Sequence, residues 1–406
     1  MTRRVLFLSQ ILPYPLDAGA KVRAHYMLRH LAERHRVTLV SFVRPTDAAG
    51  NVGRLAEICE AVHPVCIKRS LARDFGSLIV AAATGQPALI VRDRSARYEA
   101  LVGRLLHEQP FDAVHVDQIK TAQHVERFAA RPPRLIDKHN VYCEMIGQMA
   151  LLTSSGVRRR LLEREARVMA RYEAQTCRRF DEILAVTAHD AERLREMTGD
   201  ARPVTAIPIC VDPGEQPIAP PTGARRNLVM LGGMFYPPNV DGAVWFLREI
   251  LPRIQRQAVG ANVAIIGARP APAIRRAAAP HEHVTVAGYV EDAGPHLAAA
   301  AALLVPVRAG GGMRVKILEA MARGAPVVAT RLGARGIDAE NGRDILLADT
   351  PEAFAQAALR LLREPALGVR LAENARRLIE ERYDWRARYR EVDAVYERLF
   401  ASGDRP

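Results

Sequence analysis

Residues 305–330 read VPVRAGGGMRVKILEAMARGAPVVAT, and this stretch decides the fold. An apolar run ends at Val307, and Gly310, Gly311 and Gly312 form a flexible turn. A helix is expected to open at about Met313 and to occupy 314–323, with PVVAT as the next strand. A glycine turn leading into a helix start offers backbone N–H groups and the positive end of the helix dipole, which suits a phosphate. Arg314 and Lys316 fall in the first helical turn, where cations oppose the dipole and an anion would compensate. Lys316 is one of only five lysines among 58 basic residues. Glu319 follows one to two turns on, within reach of a sugar hydroxyl pair. The glycines alone would fit an ordinary loop; their combination with Arg314, Lys316 and Glu319 points to a site.

Outward from that stretch, short apolar runs alternate with amphipathic helical patterns. RVLFLSQ precedes a helix near 21–34 and then RVTLVSFV; DAVHVDQ precedes a helix near 119–130 and then RLIDKHN; EILAVTA precedes HDAERLREMTG and then VTAIPICV. The plan restarts with NLVMLGG, a helix near 239–257, NVAIIGA and VTVAGYV. Strand, helix, strand in series implies parallel sheets covered on both faces. Between the two series, six prolines (203, 208, 213, 217, 220, 221) crowd with Gly214 and Gly223, as in a domain linker. The expected division is a first domain 1–211, a linker 212–226, a second domain 227–380 and a closing helical segment 381–406.

The chain has 406 residues, 49% of them hydrophobic and 25% charged, the balance of a globular protein of two domains. The five cysteines stand at 59, 66, 143, 177 and 210 without a Cys-x-x-Cys pair. A zinc or disulfide framework is therefore not expected, and a reducing cytoplasm fits. The opening MTRRVLFLSQILPYP has too short an apolar run for a signal peptide and reads as a first strand. No stretch reaches the roughly 18 apolar residues of a membrane span. The net charge is +13, of which residues 1–205 carry +9. The first half is thus the better match for an anionic partner. A long helix over 155–180 carries eight arginines against three glutamates. That pattern fits a solvated helix with one face on the core, or attachment to an anionic membrane surface. Aromatic residues are only 5%, and no nucleic-acid-binding motif is present. No Gly-x-Gly-x-x-Gly follows the first strand, against a nicotinamide enzyme.

ILEAMARGAPVVAT resembles the signature of family-four glycosyltransferases of the GT-B fold, which retain anomeric configuration. PYPLDAGAKVRAHYMLRHLAERHRVTLVSF is similar to the family's opening, GGMFYPPNVDGAVWFLREILP to the start of the second domain in bacterial polysaccharide-type members, VTVAGYVED to the segment holding the nucleotide base, and ERYDWRARYREVDAVYERLF to the closing segment. The resemblance covers most of the chain. It implies an α/β protein of two Rossmann-like, doubly wound parallel-sheet domains facing a central cleft. It further implies transfer of a sugar from a UDP-, GDP- or ADP-type donor to a glycan or lipid-linked acceptor in cell-surface polysaccharide synthesis. The expected location is the cytoplasm, peripheral on the inner face of the cell membrane.

The resemblance also implies site residues. Donor contacts fall on Gly19, Gly232, Gly233, Val290, Glu291, Gly311, Gly312, Met313 and Glu319. Arg314 and Lys316 are expected to clamp the diphosphate, with Asp117 and His139 on the sugar side. Lys21 and Arg23 either assist at the phosphates or form a solvated helix start. No cofactor is implied, and no metal, since no Asp-x-Asp holds a strand end. The chain departs from the family at three places. Gly311 stands where an early glutamate is usual, LGGMFYPPNV lacks the usual basic pair, and His115-Val116-Asp117 replaces His-x-His. The sugar-side role therefore stays open between Asp117, His139 and Asn140. Other readings are another GT-B activity on a sugar nucleotide (an epimerase or an inverting transferase) and a non-catalytic partner subunit.

Overall fold

The computed structural model describes residues 2–45, 47, 49–68, 70–128, 132–218, 227–258 and 260–403. The chain divides into two compact units, Met1–Ile209 with Arg388–Pro406, and Cys210–Ala387. Of the proline-rich run, residues 219–226 lie outside the described residues. Val211 bridges Asp384 within the second unit.

The first unit holds seven parallel strands: β1 (Arg4–Ser9), β2 (Arg36–Val43), β3 (Ala61–Cys66), β4 (Ala113–Asp117), β5 (Arg134–Lys138), β6 (Glu182–Ala185) and β7 (Val204–Ala206), in the order β3-β2-β1-β4-β5-β6-β7. The second holds six: β8 (Asn227–Leu231), β9 (Asn262–Ile266), β10 (Val284–Gly288), β11 (Ala300–Val305), β12 (Val327–Ala329) and β13 (Leu346–Leu347), in the order β10-β9-β8-β11-β12-β13. Both are doubly wound Rossmann-type orders. The direction of winding reverses between β1 and β4, and between β8 and β11, and such switch points bind ligands at the carboxyl ends of their strands. β4 is buried along its whole length, as is β11, because helices cover both faces. Each unit has its own apolar core, with Leu6, Val114, Ile136 and Ile183 in one and Leu228, Ile265, Leu304 and Val328 in the other.

The opening run is β1, as its short apolar length implies. Three helical expectations shift. The helix expected near 119–130 is a single turn, Ile119–Ala122. Beyond it the backbone closes three-residue turns, with His124 N–H donating to Thr121, Val125 to Ala122 and Phe128 to Val125, a tighter winding that does not propagate. The helix near 239–257 is Pro237–Trp245 and Leu251–Gln255 with a wide π turn, Phe246–Ile250, between them. Pro252 follows that turn, and it has no amide to continue a regular helix. The helix after the triple glycine begins at Val315 rather than Met313.

The arginine-rich helix runs Gly156–Cys177, with Ser155 Oγ accepting from the Arg158 amide at its start. Its inner end is held by Glu173, which accepts from Lys138 Nζ at 2.5 Å and from the Tyr142 and Cys143 amides at 3.0 and 2.8 Å. A buried charge pair persists only when its remaining lone pairs are satisfied in this way.

Candidate functional site

In the second unit, the candidate residues gather at the switch point. Lys316 sits in the first turn of Val315–Ala322, and its ammonium reaches across to the end of β8. It donates to the Leu231 carbonyl at 2.5 Å and to Asn239 Oδ1 at 3.1 Å. Asn239 is held in turn by its amide, which donates to the Gly233 carbonyl at 3.0 Å. Gly232 has φ +134°, and a Cβ there would lie 2.7 Å from Lys316 Nζ. Only glycine combines that backbone with that clearance. Burial, with Arg314 close by, pushes the Lys316 ammonium down to about 7, while Glu319 opposes the shift. Burial pushes the Glu319 carboxyl up to about 7 against the pull of Arg323 and Lys316. The site is a desolvated cation beside a weakly acidic carboxyl, a setting in which an incoming anion restores full charge on the lysine.

Arg314 is the residue before the helix, with φ −97° and ψ 88°, not a member of its first turn. Its guanidinium folds back over the glycine turn. One nitrogen donates to the Gly311 and Gly312 carbonyls at 2.6 and 3.0 Å, the other to Gly310 and Ala309 at 3.1 and 3.4 Å. The arginine thus fixes the turn's shape by collecting its carbonyls, and Gly310 and Gly312 adopt positive φ, +110° and +69°, to aim them. Met313 is buried beside it. Val290 and Glu291 lie just past β10, half-buried and exposed respectively. They share the sheet's carboxyl edge but stand two strands from β8, roughly 10 Å at ordinary strand spacing.

The first unit carries a separate buried polar cluster at its own switch point. Ser9 Oγ, ending β1, donates to Asp117 Oδ2, ending β4, at 3.0 Å. His139 Nε2 lies 2.9 Å from Asp117 Oδ1 and 4.0 Å from Asp137 Oδ2. Asp117 and His139, separate in sequence, are therefore brought together, and the next residue, Gln118, has the unusual φ of +67°, a backbone outlier of the kind that concentrates at functional positions. Gly19 is the first residue of the helix Gly19–Ala32.

Beneath this pair lie Arg23 and His115, both named from the sequence, and Asp137 and Tyr396, which the sequence did not single out. Arg23, expected either to assist at the phosphates or to form a solvated helix start, is fully buried. It donates to both Asp137 oxygens, at 2.9 and 3.3 Å, and to the Pro208 carbonyl at 2.9 Å. Burial pushes the Asp137 carboxyl up, but the Arg23 guanidinium bonded to it holds it below the usual carboxylate range. Burial pushes His115 down to about 4, so its ring is neutral, and its Nδ1 pairs with the Tyr396 hydroxyl at 2.8 Å. Tyr396 comes from the C-terminal helix Arg390–Gly403, which His30 also ties through Asp393 Oδ1 at 2.7 Å. A carboxylate within a buried strand, as in RLIDK, is the signal available for Asp137.

Two family models match the chain: Glycosyltransferase Family 4 over residues 18–215 and Glycosyl transferases group 1 over 225–364. A phosphatidyl-myo-inositol mannosyltransferase of Mycobacterium leprae is 34% identical over 129 residues, 30% of this chain and 34% of that one. An uncharacterised 44.6 kDa protein of the cps region of Klebsiella pneumoniae is 22% identical over 165 residues, 39% of this chain and 42% of that one. The matched stretch thus spans less than half of each relative. Among structures, Anabaena HepE in complex with UDP and glucose superposes with TM-score 0.70 at 15% identity, over 97% of this chain and 99% of that one. Sucrose-phosphate synthase of Thermosynechococcus elongatus gives 0.71 at 17%, over 98% and 100%. The fold is GT-B. With both halves matched to glycosyltransferase models, the chain carries the two domains of a GT-B glycosyltransferase of the family-4 kind.

Proposed function

We propose that the protein transfers a sugar from a nucleotide-sugar donor to a glycan or lipid-linked acceptor with retention of configuration, in cell-surface polysaccharide synthesis. The observation that carries this is the Lys316 ammonium, desolvated at the second unit's switch point beside a glycine turn. Cleaving a sugar nucleotide builds negative charge on the departing diphosphate, and fixed cations and N–H groups aimed at that charge stabilise the transition state. Lys316 and Arg314 supply the cations here, without a divalent metal. Gly232, Gly233 and Gly311–Met313 let the phosphates approach the backbone, and Glu319 accepts from sugar hydroxyls. In a retaining reaction the acceptor attacks from the leaving-group face, and the departing phosphate oxygen takes its proton. Asp117 and His139 hold the sugar side. HepE was crystallised with UDP and glucose, which supports a uridine nucleotide among the UDP, GDP and ADP candidates. The similarity to a protein of a cps region supports the polysaccharide role.

The same reading places the protein peripherally on the inner membrane face, through the basic helix Gly156–Cys177. Among the described residues no helix is long and apolar enough to cross a membrane. The test is a thermal-shift panel of UDP, GDP and ADP with their sugar conjugates, run on the protein and on Lys316→Ala, followed by NMR of the product anomer. A shift with one nucleotide, lost in the variant, and an unchanged anomeric configuration are expected. An inverted product would refute retention, and an equal shift in the variant would remove Lys316 from the site.

A further inference from the structure

The helix Leu71–Thr84 is amphipathic the wrong way round. Its buried positions are Ser77 and Ala81, whereas Leu71, Phe75, Leu78 and Ile79 are 88%, 66%, 56% and 58% exposed. At 100° per residue these four fall on one stripe about 100° wide, with Ala82 among them, and the buried Ser77 and Ala81 lie off it to one side. From Phe75 to Val91 the sequence has no charged residue. Several large apolar side chains contiguous in water mark a surface that something covers.

The charge on a helix tied to this segment says what. Four residues after the helix, the Ala88 amide donates to Glu165 of the arginine-rich helix at 2.7 Å. There Arg160, Arg164, Arg167 and Arg171 recur at helical spacing on the outward side, opposite buried Met169, Glu173 and Cys177, and all four are exposed. Val157 and Leu161, also exposed, flank the row. An uncharged apolar ridge linked to a row of arginines is the chemistry of an anionic lipid surface, acyl chains for the one and headgroup phosphates for the other. A second copy of the chain fits less well, because a two-fold contact would bring the same arginine rows together.

We propose that the Leu71–Thr84 helix inserts its Leu71–Phe75–Leu78–Ile79 face into an anionic membrane, with the Gly156–Cys177 arginines holding the headgroups. This deepens the peripheral location proposed above, and it is independent of the transfer reaction. The test uses the full chain with phosphatidylglycerol/phosphatidylcholine vesicles, pure phosphatidylcholine vesicles as reference, and no activity readout. Phe75→Glu with Leu78→Glu should lower partition into the anionic vesicles at least about tenfold without changing the melting temperature, since both side chains are exposed. Arg164→Glu with Arg167→Glu should lower it too and flatten its salt dependence. Phe75→Trp adds an exposed indole to two buried ones, Trp245 and Trp385, and its emission should shift to the blue on anionic vesicles. Loss of binding in the arginine variant alone would overturn the insertion and leave only the basic attachment. No wild-type binding, or an unshifted Phe75→Trp spectrum, would overturn it outright. A vesicle-free dimer that Phe75→Glu dissolves would assign the face to a second copy instead.

Discussion

The ammonium of Lys316 occupies the space that a side chain at residue 232 would need: a Cβ on Gly232 would stand 2.7 Å from Nζ. The Lys316 ammonium and the backbone that seats it are therefore fixed by one another. Gly232→Ala must both displace Nζ and hold φ +134°, a strain of about 1–3 kcal/mol. We expect a folded protein with lowered melting temperature and nucleotide affinity reduced about tenfold or more, read by calorimetry. Gly267→Ala should be worse, because its Cβ would fall 1.7 Å from the Gly232 carbonyl oxygen, which is backbone and cannot swing aside.

Lys316 also sets a pH dependence. Its ammonium is held near 7 in the free protein, and a bound diphosphate raises that value. Below about 7 the lysine is charged with or without ligand, and affinity is full. As pH rises through 7 the free form loses its proton first, so binding must take one up and affinity falls, by at most about tenfold per pH unit. Titration calorimetry in two buffers of different ionisation enthalpy should show proton uptake at pH 8 and little at pH 6. Lys316→Ala should abolish the uptake and lower turnover about 10²–10³-fold.

Glu319 sets a pH dependence of stability. Its carboxyl is raised to about 7 by burial, so the folded state binds the proton more tightly than the unfolded chain. Its contribution is most favourable below the ordinary glutamate range and is lost as pH rises toward 7. Glu319→Gln should therefore raise stability at pH 8 by about 1 kcal/mol, less than the full shift because the residue is partly open to water. It should leave stability at pH 4 nearly unchanged. Chemical denaturation at the two pH values measures this, and donor-sugar affinity should fall in the same variant.

Arg23 and Asp137 form a fully buried pair. Removing either partner leaves an uncompensated charge, so Arg23→Met or Asp137→Asn should each destabilise by about 3–5 kcal/mol. The double variant should lose much less than the sum, and denaturation across the double-mutant cycle reads that coupling. Additive losses would mean the two side chains do not depend on each other.

The amino-acid sequence determined the alternation of strands and helices, the doubly wound class, and the glycine turn followed by Arg314, Lys316 and Glu319. Those signals are local, carried by hydrophobic period and residue type within a few turns. It did not determine partners that come from far away. Lys316 bonds a carbonyl 85 residues off, and Arg23 bonds Asp137 114 residues off, which is why a position that looks like a solvated helix start is in fact enclosed. Tyr396 reaches His115 across 281 residues for the same reason. The helix Leu71–Thr84 shows the limit most plainly. Its period marks an apolar face, but only the tertiary packing decided that the small residues turn inward and the large ones face out.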